Sequence, residues 1–377
     1  MKKILMLAVA TGIALAATVY IACGSKEEFE YASKSYTLSF PKDEASHDRF
    51  RTEWWYYTGH LISNDSSGGG KTFGYELTFF RTALSLKETE QERDSQNKNI
   101  YFAHFAITDE SGRKFYFNEK QSRGSFGDGG AAQDYHKTFI GNWSSQSLGN
   151  YQLIQAETNT DENPLSLALI LEPLKPAVLH GERGYSRKGE SETNASMYFS
   201  YTRLKTTGAI SIGGERYTVT GASWFDHEFG TSTLDKSAVG WDWFSLQLSD
   251  STEVMLYALR EQSGATGKFS SGTLVRADGS SEHLTKDDFT IEVLERYKSS
   301  KTSAEYPCKW KLKVPKLGFE ATVVPTVQDQ ELQTKESTRV SYWEGSAKVE
   351  GTKAGKAVSG KGYVELTGYA EAFKQNF

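Results

Sequence analysis

Gly221-Ala-Ser-Trp-Phe-Asp-His-Glu-Phe-Gly230, a short polar spacer and Gly240-Trp-Asp-Trp-Phe-Ser-Leu-Gln-Leu248 form the stretch on which the reading of this chain turns. Three of the eight tryptophans in 377 residues, Trp224, Trp241 and Trp243, fall here beside Asp226, His227, Glu228 and Asp242. Bulky rings exclude water from a carboxyl, and a desolvated carboxyl keeps its proton to higher pH, as an acid catalyst must. The same composition also fits a packed core whose acids accept turn amides. Composition alone does not separate the two.

Outward from this stretch the grammar is that of β-structure. Short aromatic and β-branched runs at 54–61, 73–80, 101–107, 151–156, 165–171, 197–204, 243–248 and 253–260 alternate with Gly, Ser, Asp and Asn turns. No long segment shows a sustained helical period of apolar residues. The run 86–99 is nearly all charged or polar, and reads as a solvated helix or a loop. Many short antiparallel strands predict a sandwich or a barrel.

An internal repeat narrows the choice. Segment 54–65, a turn and 72–81 match segment 242–250, a tighter turn and 252–260: an aromatic opening strand, then a strand ending in Arg81 or Arg260. Val219-Thr-Gly-Ala-Ser-Trp-Phe-Asp226 likewise matches Val358-Ser-Gly-Lys-Gly-Tyr-Val-Glu365. The prediction is an all-β chain of two tandem β-barrel units, 36–231 and 232–377. Features in both copies read as architecture: Asp226 and Glu365 as closure acids, Arg81 and Arg260 as strand-end plugs. Features in one copy read as function: His227, Glu228, Tyr185, Arg187, Lys188, His60 and His104. Arg187-Lys188 also fits a solvated loop, or a contact to an acidic ligand head group.

The chain begins Met1-Lys-Lys, is apolar over 4–22 and continues Cys23-Gly-Ser25. A basic start followed by an apolar run is an export signal. Ile21-Ala22-Cys23 resembles the end of a bacterial lipobox. The expectation is a signal peptide over 1–22, lipid on Cys23, a polar tether over 23–35 and a membrane-anchored lipoprotein of the cell envelope. In a Gram-negative cell it would sit on the periplasmic face, in the outer membrane. An uncleaved anchor or ordinary secretion are the competing fates, because the apolar run is just long enough to span a bilayer. Only one other cysteine exists, Cys308. No disulfide framework is therefore expected, and stability must come from buried core. The formal charge is −5 and no basic stripe is present, so nucleic acid is not an expected partner.

Segments spread in order over nearly the whole chain after residue 45 carry a resemblance to a known family. They include Glu53-Trp-Trp-Tyr-Tyr-Thr-Gly-His-Leu61, Ala103-His-Phe-Ala-Ile-Thr-Asp109, Gly184-Tyr-Ser-Arg-Lys-Gly189, Trp224-Phe-Asp-His-Glu-Phe-Gly230 and Tyr342-Trp-Glu-Gly345. The chain resembles the two-domain lipocalin-like group of carotenoid 1,2-hydratase (hydroxyneurosporene synthase, the CrtC family) and the secreted AttH-type proteins. The resemblance implies two tandem lipocalin-like (calycin-type) β-barrels with a ligand site where they meet. It also implies Asp242 as the acid that protonates an alkene, with His227 beside it. Phe229 stands where those hydratases carry Trp, and Gly240 where they carry Tyr, which places the chain nearer the AttH-like branch.

Hydrating an isolated alkene needs a strong proton donor, a surface tolerant of a tertiary carbocation and a positioned water. Asp242 between Trp241 and Trp243 fits the donor, the ring faces fit the cation, and His227 or Glu228 fits the water. Asp242 also fits a structural role, because Glu53 precedes a tryptophan in the first unit in the same way. The candidate ligand wall is Trp224, Phe229, Trp241, Trp243, Trp54, Tyr57, Tyr75, His104 and Tyr185, and the expected partner is a hydrophobic polyene, terpenoid or lipid-like molecule. No Gly-x-Ser-x-Gly elbow and no ligand-spaced histidine pair occurs, so neither a serine nucleophile nor a metal or other cofactor is expected. Two functions remain: a hydro-lyase or related isomerase or cyclase, and a non-catalytic carrier.

Overall fold

The computed structural model describes residues 28–64, 70–84, 98–158, 163–232, 234–235 and 237–373. Cys23, the signal segment and most of the charged run at 86–99 lie outside them. Two antiparallel sheets follow one another along the chain. The first contains β1 (Thr52–Ser63), β2 (Thr72–Ala83), β3 (Asn99–Asp109), β4 (Lys114–Ser122), β5 (Gly129–Ala131), β6 (Lys137–Ile140) and β7 (Trp143–Leu148). It continues with β8 (Tyr151–Glu157), β9 (Leu165–Pro173), β10 (Val178–Leu179), β11 (Tyr185–Arg187), β12 (Ala195–Ile212) and β13 (Glu215–Ser232). The second contains β14 (Ala238–Leu248), β15 (Glu253–Glu261), β16 (Ser271–Val275), β17 (Ser281–Thr285) and β18 (Thr290–Lys298). It continues with β19 (Glu305–Val314), β20 (Phe319–Pro325), β21 (Glu331–Gln333), β22 (Ser341–Lys353) and β23 (Lys356–Leu366).

Both sheets use one connectivity. Each opens with a hairpin, β1–β2 or β14–β15, and its last strand returns to pair with its first, β13 on β1 and β23 on β14. The full orders are β4-β3-β2-β1-β13-β12-β9-β8-β7-β6-β5 and β17-β16-β15-β14-β23-β22-β20-β19-β18. The fold is all-β, two tandem lipocalin-like near-barrels. The repeat fixes a register as well as a topology: Asp226 lies opposite Tyr56, and Glu365 opposite Trp243.

Each barrel has its own core, led by Trp55, Tyr57, Phe79, Trp143 and Phe225 in the first and Phe244, Trp310, Leu312 and Trp343 in the second. A third apolar cluster fills the seam: Tyr56, Tyr198, Trp224, Trp243, Met255, Tyr257, Leu259 and Tyr363. A large ring buried there contributes about 1.5–3 kcal/mol. Side chains alternate across a strand. β1 and β13 are therefore buried on both faces, one set of residues serving the first barrel's interior and the other the seam.

An acid–arginine pair plugs each barrel. Arg81 is fully buried, with Nε 3.1 Å from Glu53 Oε2 and Nη2 donating at 2.9 Å to the carbonyls of His47 and Phe50. Arg260 Nε donates at 2.8 Å to Asp242 Oδ1, and its guanidinium lies 3.7 Å from the centre of the Tyr369 ring. The segment expected as a tether docks from Glu30 onward: its amide donates to the Arg49 carbonyl at 2.9 Å, and Ala32 is buried. Cys308 is a buried free thiol. Among the described residues no helix is long and apolar enough to cross a membrane.

Candidate functional site

A cavity of about 180 Å³ lies in the seam, walled by both barrels. Trp54 and Tyr56 enter from β1, Asp226 and Glu228 from β13, Tyr198 from β12 and His104 from β3. Trp241 and Trp243 enter from β14, Tyr257 from β15, Tyr342 and Glu344 from β22, and Glu365 from β23. Lys188 follows directly on β11 and completes the wall.

The carboxyls are held by donors and kept dry by rings. Asp226 accepts from Trp224 Nε1 at 2.6 Å, from the Tyr198 hydroxyl at 2.7 Å and from Ser200. Burial pushes its carboxyl up to about 6 against those hydrogen bonds and the nearby Lys188. Burial pushes Glu365 up to about 7; a Trp241 hydrogen bond opposes the rise and Asp226 adds to it. Glu344 stands directly opposite Glu365 across β22 and β23, and accepts from the Tyr56 hydroxyl at 2.9 Å. Two anions in that cross-strand position repel. Burial, with Glu365 and Glu76 beside it, raises Glu344 well above the carboxylate range. Glu76 behind it is raised well by burial too.

The one lysine of the wall pairs with Glu228, which also accepts from Ser196. Burial lowers the Lys188 ammonium to about 7, with Asp226 and Glu365 opposing. Glu228 is the carboxylate in direct contact with it.

His104 fixes the orientation of Tyr342. The Ser337 hydroxyl donates to Glu119, and so accepts from His104 Nε2 at 2.9 Å. Burial lowers the imidazole to about 3 and keeps it neutral. Its Nδ1 is then the acceptor for the Tyr342 hydroxyl, 2.6 Å away.

Of the sequence-predicted site residues, Glu228, Trp54, Trp241, Trp243 and His104 meet in this cavity. Trp224 lies behind the wall and holds Asp226. Asp242 does not face the cavity. β14 directs Trp241 and Trp243 into the seam, so the residue between them points into the second barrel, onto Arg260 and the Tyr369 hydroxyl at 3.0 Å. Burial raises its carboxyl and Arg260 opposes the rise. His227 and Phe229 also face away, on the interior side of β13: His227 Nε2 is 2.8 Å from Glu53 Oε1, and the Phe229 ring stacks on His47 at 3.5 Å. Tyr57 and Tyr75 are core residues of the first barrel, bonded to Ser145 at 2.7 Å and Ser223 at 2.6 Å. Tyr185 is buried there too, its hydroxyl donating to the Glu192 carbonyl. The two departures from the hydratase pattern thus lie outside the cavity. At Gly240 any Cβ would meet the Thr367 carbonyl at 2.3 Å and the Arg260 guanidinium at 2.7 Å, which leaves no room for Tyr.

Asp226 and Glu365, read as architecture, face the cavity, and so does Lys188, for which a functional role and a solvated loop were both open. The signal was present in the alternation: Trp224, Asp226 and Glu228 must share one strand face, and Trp241 and Trp243 exclude Asp242 from theirs.

Among the described residues one group has metal-ligand geometry: the donor atoms of His47, Glu53 and His227 lie within 4.8 Å of one another. Protein groups surround Glu53, while His227 Nδ1 is buried without a hydrogen-bond partner. Arg81 supplies Glu53 with its counter-charge, Ser46, the His47 amide and both imidazoles complete its shell, and His47 Nε2 is 3.0 Å from Asp43. Burial acts to raise Glu53, but Arg81, His227 and His47 hold it well below the carboxylate range.

Two lipocalin-like barrels enclosing an aromatic, carboxyl-bearing cavity at their seam define a bipartite β-barrel protein. The chain belongs to the AttH-like family, whose model matches residues 31–369. The structure is similar to that of an AttH-type protein from Nitrosomonas europaea, with 30% identity over 90% of this chain and 100% of that one, and a TM-score of 0.79. It is also similar to kievitone hydratase from Nectria haematococca, with 15% identity over 92% of this chain and 97% of that one, and a TM-score of 0.67. At that identity the likeness is one of fold. No curated protein sequence matches the chain.

Proposed function

We propose that the protein is a cell-envelope lipoprotein whose seam cavity binds a polyene, terpenoid or other lipid-like molecule and adds water to it, or removes water, by acid catalysis. One observation carries this reading: Asp226 and Glu365, supplied by different barrels, face one aromatic cavity with proton affinities raised to about 6 and about 7. Two acids poised at different values near neutrality divide the roles of base and acid. Glu365 donates its proton to one alkene carbon. The tertiary cation left on the other carbon lies against Trp54, Trp241 and Trp243, where a ring face stabilises it by roughly 0.5–2 kcal/mol. Water closes on that carbon, and Asp226 takes its proton as the C–O bond forms. The proton then returns from Asp226 to Glu365. Kievitone hydratase bears a name that agrees with water addition on this fold. Lipid anchoring is supported by the basic start, the apolar run and Cys23.

The test is incubation with prenylated phenols, terpenoid alkenes and their tertiary alcohols in ¹⁸O-water. Wild type is expected to place ¹⁸O in the tertiary alcohol, while Glu365→Gln binds the same compound without turnover. Binding with no ¹⁸O in wild type gives the carrier reading. Detergent phase partitioning of wild type against Cys23→Ser tests the anchor, and equal partitioning removes it.

A further inference from the structure

Lys188 is a cavity group that water addition leaves unused. Its backbone is pinned, the amide donating to the Asn194 carbonyl at 2.7 Å just beyond the β11–β12 pairing. Its side chain is 11% exposed, and its Nζ lies 5.6 Å from the Trp54 ring centre, 5.5 Å from Tyr198 and 5.7 Å from Tyr257. The only other basic side chain of the wall, Arg81, is committed to Glu53 and two carbonyls. An amine in such an aromatic box loses hydration and favours its neutral, nucleophilic form. Glu228, in contact with it, is placed to take the ammonium proton.

We propose that Lys188 is a nucleophilic amine and that the cavity accepts an apolar aldehyde or ketone, held as an imine on Lys188. Proton transfer to Glu228 frees the nitrogen lone pair, which forms the C–N bond while the carbonyl π pair moves to oxygen. That oxygen takes the proton that Glu228 holds, and the carbinolamine nitrogen returns one of its own protons to Glu228 and so regains its lone pair. The resulting hydroxyl leaves as water with this proton from Glu228 as the nitrogen lone pair forms C=N. The iminium, while protonated, keeps Glu228 as its counter-ion. This rests on the seam cavity as a small-molecule site, but not on proton donation by Glu365.

The experiment uses octanal as probe, with cyanoborohydride to fix any imine, and peptide mass spectrometry to locate the octyl group. At pH 7 Lys188 is expected to be alkylated at least about tenfold faster than the exposed Lys205, because most of an exposed lysine is protonated there. Its rate should level off near pH 8, whereas that of Lys205 keeps rising. Lys188→Arg should fold, let octanal quench the cavity tryptophans, and carry no adduct at 188. Glu365→Gln should still be labelled at Lys188, so loss of hydration in that variant leaves the imine proposal standing. Labelling of Lys188 no faster than of Lys205, or octanal that does not quench the tryptophans, overturns the proposal.

Discussion

Asp226 and Glu365 hold the same position in two barrels. Each sits on the closing strand, opposite an aromatic of the opening strand, and both face one cavity. Both are raised, Glu365 from 4.5 to about 7 and Asp226 from 3.8 to about 6. Between pH 4.5 and pH 7 an unfolded chain has released the Glu365 proton and the folded chain retains it. The folded state then binds more protons, so its stability falls as pH rises through that window. Glu365→Gln removes this contribution. Unfolding free energies of wild type and variant from urea titrations are expected to diverge from pH 4.5 to about 7, by roughly 3 kcal/mol in all, and to run parallel above it. Parallel free energies over the whole range would show that burial does not hold the proton.

The Asp242–Arg260 pair predicts a loss of stability without a loss of binding. Asp242→Asn leaves the Arg260 cation without an anion in a largely buried place. Stability is expected to fall by about 2 kcal/mol, since the amide keeps part of the hydrogen bonding. Octanal quenching should be unchanged. Wild-type stability with altered quenching would put Asp242 back in the ligand site.

Arg81 supplies the cation beside Glu53 in the His47, Glu53 and His227 group. Dialysis against a chelator is expected to leave the melting temperature unchanged, and added zinc should not raise it. Arg81→Met should cost roughly 3–5 kcal/mol, because Glu53 stays buried without its cation. A zinc-dependent rise in the wild-type melting temperature would make His47, Glu53 and His227 a metal site.

The architecture was legible because the repeat is written in strand-end residues. Glu53 with Arg81 and Asp242 with Arg260 mark the two opening hairpins, and the matched segments ending at Asp226 and Glu365 mark the closing strands. The face that each residue takes was harder to read. A strand with one wet face alternates apolar and polar, which identifies its core side. Trp224 to Phe229 and Trp241 to Phe244 are buried on both sides or nearly so, and polarity there says nothing about direction. Asp242 and His227 were therefore placed in the cavity with Trp241 and Glu228, although strict alternation puts them on opposite faces. Lys188 stood among the one-copy candidates, but its burial was not legible: it lies outside any long strand, and rings of both barrels surround it.

Glutamate carboxyl carbons labelled with ¹³C and titrated by NMR test the poised acid most directly. One resonance, absent from Glu365→Gln, is expected to titrate near pH 7, and to move higher when an apolar alcohol such as octanol fills the cavity and drives out water. If the resonance lost in Glu365→Gln instead titrates below about pH 5, as an ordinary glutamate does, Glu365 is no proton donor at neutral pH and the proposed chemistry fails.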